Sequence, residues 1–161
     1  MDVTFSAEEQ FRRGKELFAA GQEEAAFEYF RTAQSLHREN ACYRSYYGVA
    51  LARVERRFNK GLEFCRAAVK EEFFNPELYH NLARVYLAFG FKSEALRYLR
   101  RGLMIDPACQ AIQTELGGLG VRQSPVLTFL PRRHRINRLL GRLRQRFTRS
   151  HSNWVPAEDL S

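Results

Sequence analysis

The chain repeats itself, and the period leaves few folds open. Gly14-x-x-Leu17 returns 34 residues later as Gly48-x-x-Leu51, and after a further 35 as Ala83-x-x-Tyr86. A second set keeps the same rhythm. Ala26, Phe30 and Ala33 return as Gly61, Cys65 and Ala68 at an offset of 35, then as Ala95, Leu99 and Gly102 at 34. One additional residue in the middle unit, near Arg57–Asn59, accounts for both longer offsets. Such a period marks one supersecondary unit that cannot bury its apolar side alone and must stack on its neighbours. The recurring small residues fit this picture, because Gly or Ala at a helix crossing lets two backbones approach while large neighbours fill the space around them.

Apolar spacing predicts helices over 7–20, 23–37, 41–56, 60–72, 76–89 and 93–105. Local punctuation agrees. Ser6-x-x-Glu9 is a capping box, and Asn75-Pro76 supplies an N-cap followed by proline at the first helical position. Gly21 and Gly90 fall where hairpin turns need positive φ. A capping helix is expected over 108–118, with Cys109, Ile112 and Leu116 on one face and Gly117-Gly118-Leu119-Gly120 breaking it. Glu23 and Glu24 open a helix and complement its dipole. Glu71 and Glu72 close one, where acids are unfavourable, and the sequence offers no reason for them.

The pattern resembles the tetratricopeptide repeat family, whose 34-residue helix–turn–helix carries small and aromatic signature residues. The third unit matches best, with Tyr79, Leu82, Ala83, Tyr86, Gly90, Ala95, Leu99 and Pro107 at the family spacing. The first keeps Gly14, Leu17, Gly21, Ala26, Phe30 and Ala33; in the second, Glu55 occupies the usual turn-glycine position. The resemblance implies an all-α fold: an α-solenoid of three units (7–40, 41–75, 76–109) with a capping helix, within a domain over 1–120. A C-terminal amphipathic helix is expected beyond it.

The same resemblance implies a concave groove lined by the first helix of each unit. The groove residues are then Phe11, Lys15 and Phe18 in the first unit, Ser45, Val49 and Arg53 in the second, and His80, Arg84 and Leu87 in the third. This mixture suits a peptide or helix with hydrophobic anchors and a few acids; the alternative is that these are ordinary surface positions. Co-chaperones of this family that grip a C-terminal carboxylate use Lys, Asn and Arg at positions that here hold Phe11, Lys15, Tyr46, Glu77 and Asn81. That mismatch argues against such a clamp. In size the chain is also similar to bacterial secretion chaperones of the repeat class.

Charge divides the chain unevenly. Residues 1–121 carry 17 Lys+Arg against 16 Asp+Glu, whereas 122–161 carry nine Arg against Glu158 and Asp159. Residues 121–132 read as an apolar, proline-bounded linker, 133–148 as a basic amphipathic helix, and 149–161 as a mobile tail. Arg132, Arg133, Arg135, Arg138, Arg142, Arg144, Arg146 and Arg149 surround an apolar face of Ile136, Leu139, Leu140, Leu143 and Phe147. Three readings stay open: docking of that face on the repeats, binding to an anionic membrane surface or nucleic acid, or contact with a protein partner or second copy. Nucleic acid is the weaker anionic candidate, because no aromatic stacking platform accompanies the arginines. The combination resembles small bacterial tetratricopeptide proteins with C-terminal extensions.

Catalytic signatures are lacking. The sequence has no phosphate-binding glycine loop with its lysine, no H-E-x-x-H and no G-x-S-x-G. His37, His80, His134 and His151 stand singly, away from any cysteine at metal-ligand spacing. We therefore expect no enzyme, no metal and no cofactor, and another protein as partner. Cys42, Cys65 and Cys109 are scattered and read as reduced thiols. The N-terminus lacks a basic and apolar leader, and the longest apolar stretch, Val85–Phe91, is far short of the roughly 20 residues that span a bilayer. A soluble, cytoplasmic protein is the expectation.

Overall fold

Each predicted repeat becomes a pair of helices, because each carries an apolar stripe ended by a cap or a turn. A computed structural model describes residues 6–120, which lie in the first of the chain's two units. The linker 121–132, the basic helix 133–148 and the tail 149–161, with the eight arginines between 132 and 149, lie outside the described residues. The helices are α1 (Ala7–Ala19), α2 (Glu23–Leu36), α3 (Ala41–Arg53), α4 (Phe58–Glu71), α5 (Pro76–Ala88), α6 (Lys92–Ile105) and α7 (Gln110–Gly118). They pair as three helix–turn–helix units, α1 with α2, α3 with α4 and α5 with α6, and α7 closes the stack on α6. This is the tetratricopeptide architecture with its capping helix. None of these helices is long and apolar enough to cross a membrane.

The caps follow the sequence. Ser6 accepts from the Glu9 amide at 3.2 Å, while the Glu9 carboxylate turns to Arg12 and Arg13 instead of completing the box. Asn40 accepts from the Tyr43 amide at 3.0 Å, and Asn75 accepts from the Glu77 amide at 3.1 Å ahead of Pro76. The acids that close α4 now have a reason. Glu71 pairs with Arg44 on α3, and the Glu72 carboxylate accepts from Asn75 Nδ2 at 2.9 Å, bracing the next N-cap. Their bonds across the turn offset an unfavourable place in the helix dipole.

The additional residue of the middle unit lies earlier than expected. The other two hairpins turn on Gly21 and Gly90, at φ 78° and 79°. In the middle unit α3 stops at Arg53 rather than 56, and α4 starts at Phe58 rather than 60. The turn between them uses Arg56 at φ 56°, held by a bond from its guanidinium to the Ala88 carbonyl (3.1 Å) and stacked 4.5 Å over Phe89. Those contacts offset the strain of a left-handed arginine, about 1–2 kcal/mol. Gly117 and Gly118 do not break α7 either. The helix runs through both and ends where Gly120 takes φ 67°.

Packing explains the small residues. Gly48 on α3 and Gly61 on α4 face one another, so a Cβ on Gly61 would stand 2.6 Å from the Gly48 carbonyl oxygen. Between the outer pairs, α3 is buried nearly all round by Ala41, Ser45, Tyr46, Gly48, Val49, Ala50, Leu51 and Ala52. One core runs from Phe18, Phe27 and Phe30 through Val49, Leu51 and Cys65 to Leu82, Val85, Leu99 and Ile112. Ile112 brings α7 into that core, as its spacing predicted, with Cys109 and Leu116 half-buried beside it.

Candidate functional site

The first helices α1, α3 and α5 carry all nine predicted groove residues, but they do not all face outward. Ser45 and Val49 are fully buried. The Ser45 hydroxyl donates to the Cys42 carbonyl at 3.0 Å and accepts from Asn81 Nδ2 at 2.9 Å, tying α3 to α5. These two residues build the wall and cannot touch a partner. The helix period explains the misplacement: α3 has neighbours on several sides, so its positions equivalent to open ones elsewhere are covered. Phe18 is only 7% exposed, and what it offers outward is a ring face covered by guanidinium groups.

Towards the start of the helices the site satisfies its own charge. Exposed Lys15 lies 5.3 Å from the Tyr46 ring centre and 5.6 Å from that of Phe11. Phe11 in turn packs on Tyr43 at 4.5 Å and edge-on to Tyr46 at 5.1 Å. The Lys15 ammonium donates to Glu77 at 3.0 Å, and the Tyr46 hydroxyl donates to the same carboxylate oxygen at 2.6 Å. Burial pushes the Glu77 carboxyl upward, but the bonds from Tyr46 and Lys15 outweigh it and hold Glu77 below the usual range. The Tyr46 hydroxyl is pushed far up, first by burial and then by its bond to Glu77 and the charge there. Three of the positions that hold clamp residues in those co-chaperones, Lys15, Tyr46 and Glu77, are thus bonded to one another. The sequence reading marked Glu77 as a mismatch with the clamp; its bond to Lys15 spans 62 residues and has no local signal.

Towards the helix ends the site is open. Arg53, Arg84, Leu87, Ala88 and Glu115 line a cleft of about 260 Å³. Two guanidinium groups share one ring, Arg84 at 4.4 Å and Arg53 at 5.2 Å from the centre of Phe18. Such a contact contributes about 0.5–2 kcal/mol, the larger value where it is desolvated. Arg53 is also ion-paired with Glu23 on α2. His80 Nε2 lies 3.2 Å from Glu115 Oε2, and this bond, against the opposing effect of burial, holds the Glu115 carboxyl below its ordinary value. Glu115 comes from the capping helix and was absent from the predicted site. Its sequence neighbours gave no hint that α7 brings an acid to His80 of α5.

A second cleft of about 510 Å³ is lined by Arg12, Arg13, Glu16, Leu17, Ala20 and Tyr29. Its arginines bond Glu9 and Glu16, so its charges are already matched. Among the described residues, no group of His, Cys, Asp and Glu side chains is placed to hold a metal ion. All three thiols are free, and burial raises those of Cys42 and Cys65 away from the reactive thiolate.

Residues 76–109 match the model of the tetratricopeptide repeat, and no curated protein matches the chain. Among solved structures the chain is similar to the TPR domain of Arabidopsis OM64, at 18% identity and a TM-score of 0.55 over 70% of this chain and 93% of that one. It is similar to the first TPR domain of human RPAP3, at 18% identity and a TM-score of 0.56 over 71% of this chain and 89% of that one. It is also similar to PcrH, solved in complex with the chaperone binding region of PopB, at 18% identity and a TM-score of 0.53 over 70% and 93%. At such identity the likeness establishes the fold.

Proposed function

We propose that this protein is an adaptor that holds a peptide or helix of another protein along the exposed face of α1, α3 and α5. The observation that carries the reading is the open cleft at Arg53, Arg84 and Leu87, where apolar and cationic groups converge on helices belonging to two successive repeats. Convergence from separate elements is what a recognition surface requires, because one helix face alone offers too little area. The reading gains support from PcrH, which has the same fold and is seen holding a region of PopB. We further read the chain as a small, bacterial-type, cytoplasmic tetratricopeptide protein. Its arginine-rich residues 132–149 then add a second contact, to a partner or to an anionic membrane surface. That second contact is favoured by the charge of 122–161, where nine Arg face two acids.

Phe18 is too buried to serve as a test position, because its truncation would open the core. The test uses the full chain with Arg53→Gln/Arg84→Gln, and separately with Arg138→Gln/Arg142→Gln/Arg144→Gln. Each is used to capture partners from cell extract at low and moderate salt. Loss of a specific protein in the first variant, with helicity kept, is the expected result. Capture lost only in the second variant, and steeply with salt, would place the function in the arginine-rich segment and refute the adaptor reading.

A further inference from the structure

The cations of the first-helix face are not equivalent. Lys15 bonds Glu77, Arg53 pairs with Glu23, and His80 bonds Glu115. Arg84 is half-buried and makes no hydrogen bond or ion pair to any described residue; its guanidinium lies 4.4 Å from the centre of the Phe18 ring. A guanidinium has five N–H donors in a planar fork. Partial burial withdraws some of the hydration of such a charge, so an acceptor that takes the place of that water is favoured. Burial opposes its charge, as does nearby Arg53, while Tyr46, Glu115 and Glu23 favour it without pairing with it. The side chain is nonetheless pinned by the ring and opens onto a cleft with apolar Leu87 and Ala88 on its wall. Pinning removes much of the entropy cost of binding. The arrangement is a preorganised fork that is paired with no acid of the described residues.

We propose that this cleft receives a carboxylate of the bound partner, held by the Arg84 fork beside Arg53, with an apolar neighbour of that carboxylate resting on Leu87 and Ala88. The proposal rests on the adaptor reading and specifies the chemistry of its ligand. The position differs from that of the family's carboxylate clamp, whose residue positions here hold Phe11, Lys15, Tyr46, Glu77 and Asn81. The cleft also limits how much negative charge it accepts. Glu115 lines the same space and Glu23 already neutralises Arg53. A single carboxylate satisfies the fork, whereas a phosphate dianion or a run of acids would bring excess negative charge against Glu115. The volume of about 260 Å³ suits one acidic side chain or chain end with its neighbour rather than a larger ligand. The recognised segment is therefore an acid flanked by an apolar residue.

The test observes the Arg84 Nε–Hε resonance in the full-length, isotope-labelled protein. Four acetylated pentapeptides rich in leucine are titrated to millimolar concentration. One has a central Glu and an amidated end, and one a central Gln and a free terminal carboxylate. One has a central phosphoserine and an amidated end, and one is neutral. Saturable movement of the Arg84 signal with either carboxylate peptide, and none with the neutral one, supports the proposal. The tighter of the two carboxylate peptides identifies side chain or chain end as the source. Arg84→Gln should weaken that binding by about tenfold or more, and Arg84→Lys, which keeps the charge but loses the fork, by an intermediate factor. Tighter binding of the phosphoserine peptide overturns the single-charge argument. An unmoved Arg84 signal, while amides along α1 and α5 shift, overturns the proposal and leaves the adaptor reading standing. Silence of every site with every peptide counts against both. The wild-type resonance answers the question even if a variant fails to fold.

Discussion

Substituting Gly61 by alanine tests the backbone contact on which the middle repeat depends. In an isolated helix the change is favourable, since alanine exceeds glycine in helix propensity by about 1 kcal/mol. Here the new Cβ would stand 2.6 Å from the Gly48 carbonyl oxygen and 2.9 Å from Ala52 Cβ. Carbon contacts are optimal near 3.5–4.0 Å, so α3 and α4 must part. Neither obstacle is the tip of a flexible side chain; one is backbone and the other the Cβ of a fully buried residue. Overpacking of this kind costs typically about 1–3 kcal/mol, at the upper end where nothing can rotate away. After the propensity gain, a net loss of about 1–2 kcal/mol remains. Gly117→Ala is the control, being helical and exposed, with nothing within 4 Å of its Cβ position. It should gain up to about 1 kcal/mol. Urea unfolding followed by far-ultraviolet circular dichroism should show a lowered midpoint for Gly61→Ala at unchanged slope, and a raised one for Gly117→Ala. Equal or greater stability of Gly61→Ala would refute the claim that the two backbones are in contact.

Three further outcomes follow from single contacts. Ser45→Ala removes the hydroxyl that accepts from Asn81 Nδ2, and Asn81 Oδ1 already lacks a partner; the buried amide is then left bare, at about 1–3 kcal/mol. The double change Ser45→Ala/Asn81→Leu should cost less than the sum of the singles in a denaturant cycle. Asn75→Ala removes the N-cap of α5 and the brace to Glu72, and should lower stability by about 1 kcal/mol, read by the same titration. Glu77 has a folded-state pKa below its ordinary 4.5, so its contribution to stability is complete above that value and is lost as pH falls through the lower, folded one. Stability measured from neutral to acid pH should fall less steeply in Glu77→Gln than in the parent; parallel curves would show that the bonds from Tyr46 and Lys15 do not stabilise the charge.

The repeat made the fold readable because small residues recur where helices cross, and the recurrence survives one inserted residue. Turn detail was less legible. Glycine marks a left-handed turn only where nothing else pays for it, and at Arg56 the Ala88 carbonyl and the Phe89 ring compensate for the missing glycine. Site residues were legible by face but not by exposure. Periodicity puts Ser45 on the position of Phe11 and His80, and Val49 on that of Lys15 and Arg84, yet α3 is enclosed and the outer helices are not. Least legible was the charge pairing. Lys15 with Glu77, Arg53 with Glu23 and His80 with Glu115 join residues 62, 30 and 35 apart, and which cation remains unmatched depends on all three pairings at once. A sequence shows that the face is basic; only the assembled stack shows that Lys15, Arg53 and His80 are bonded to its own acids while Arg84 feels Glu115 and Glu23 without pairing with either. That remainder, rather than the total charge, sets what a partner must bring. A partner with several acids meets Glu77 and Glu115 as repulsion, and one with a single acid at the right register meets Arg84 beside Arg53, with one acid, Glu115, on the cleft wall. The internal acids thus act as a filter on partner charge, which is how a face of mixed sign discriminates between ligands that a uniformly basic one would bind alike.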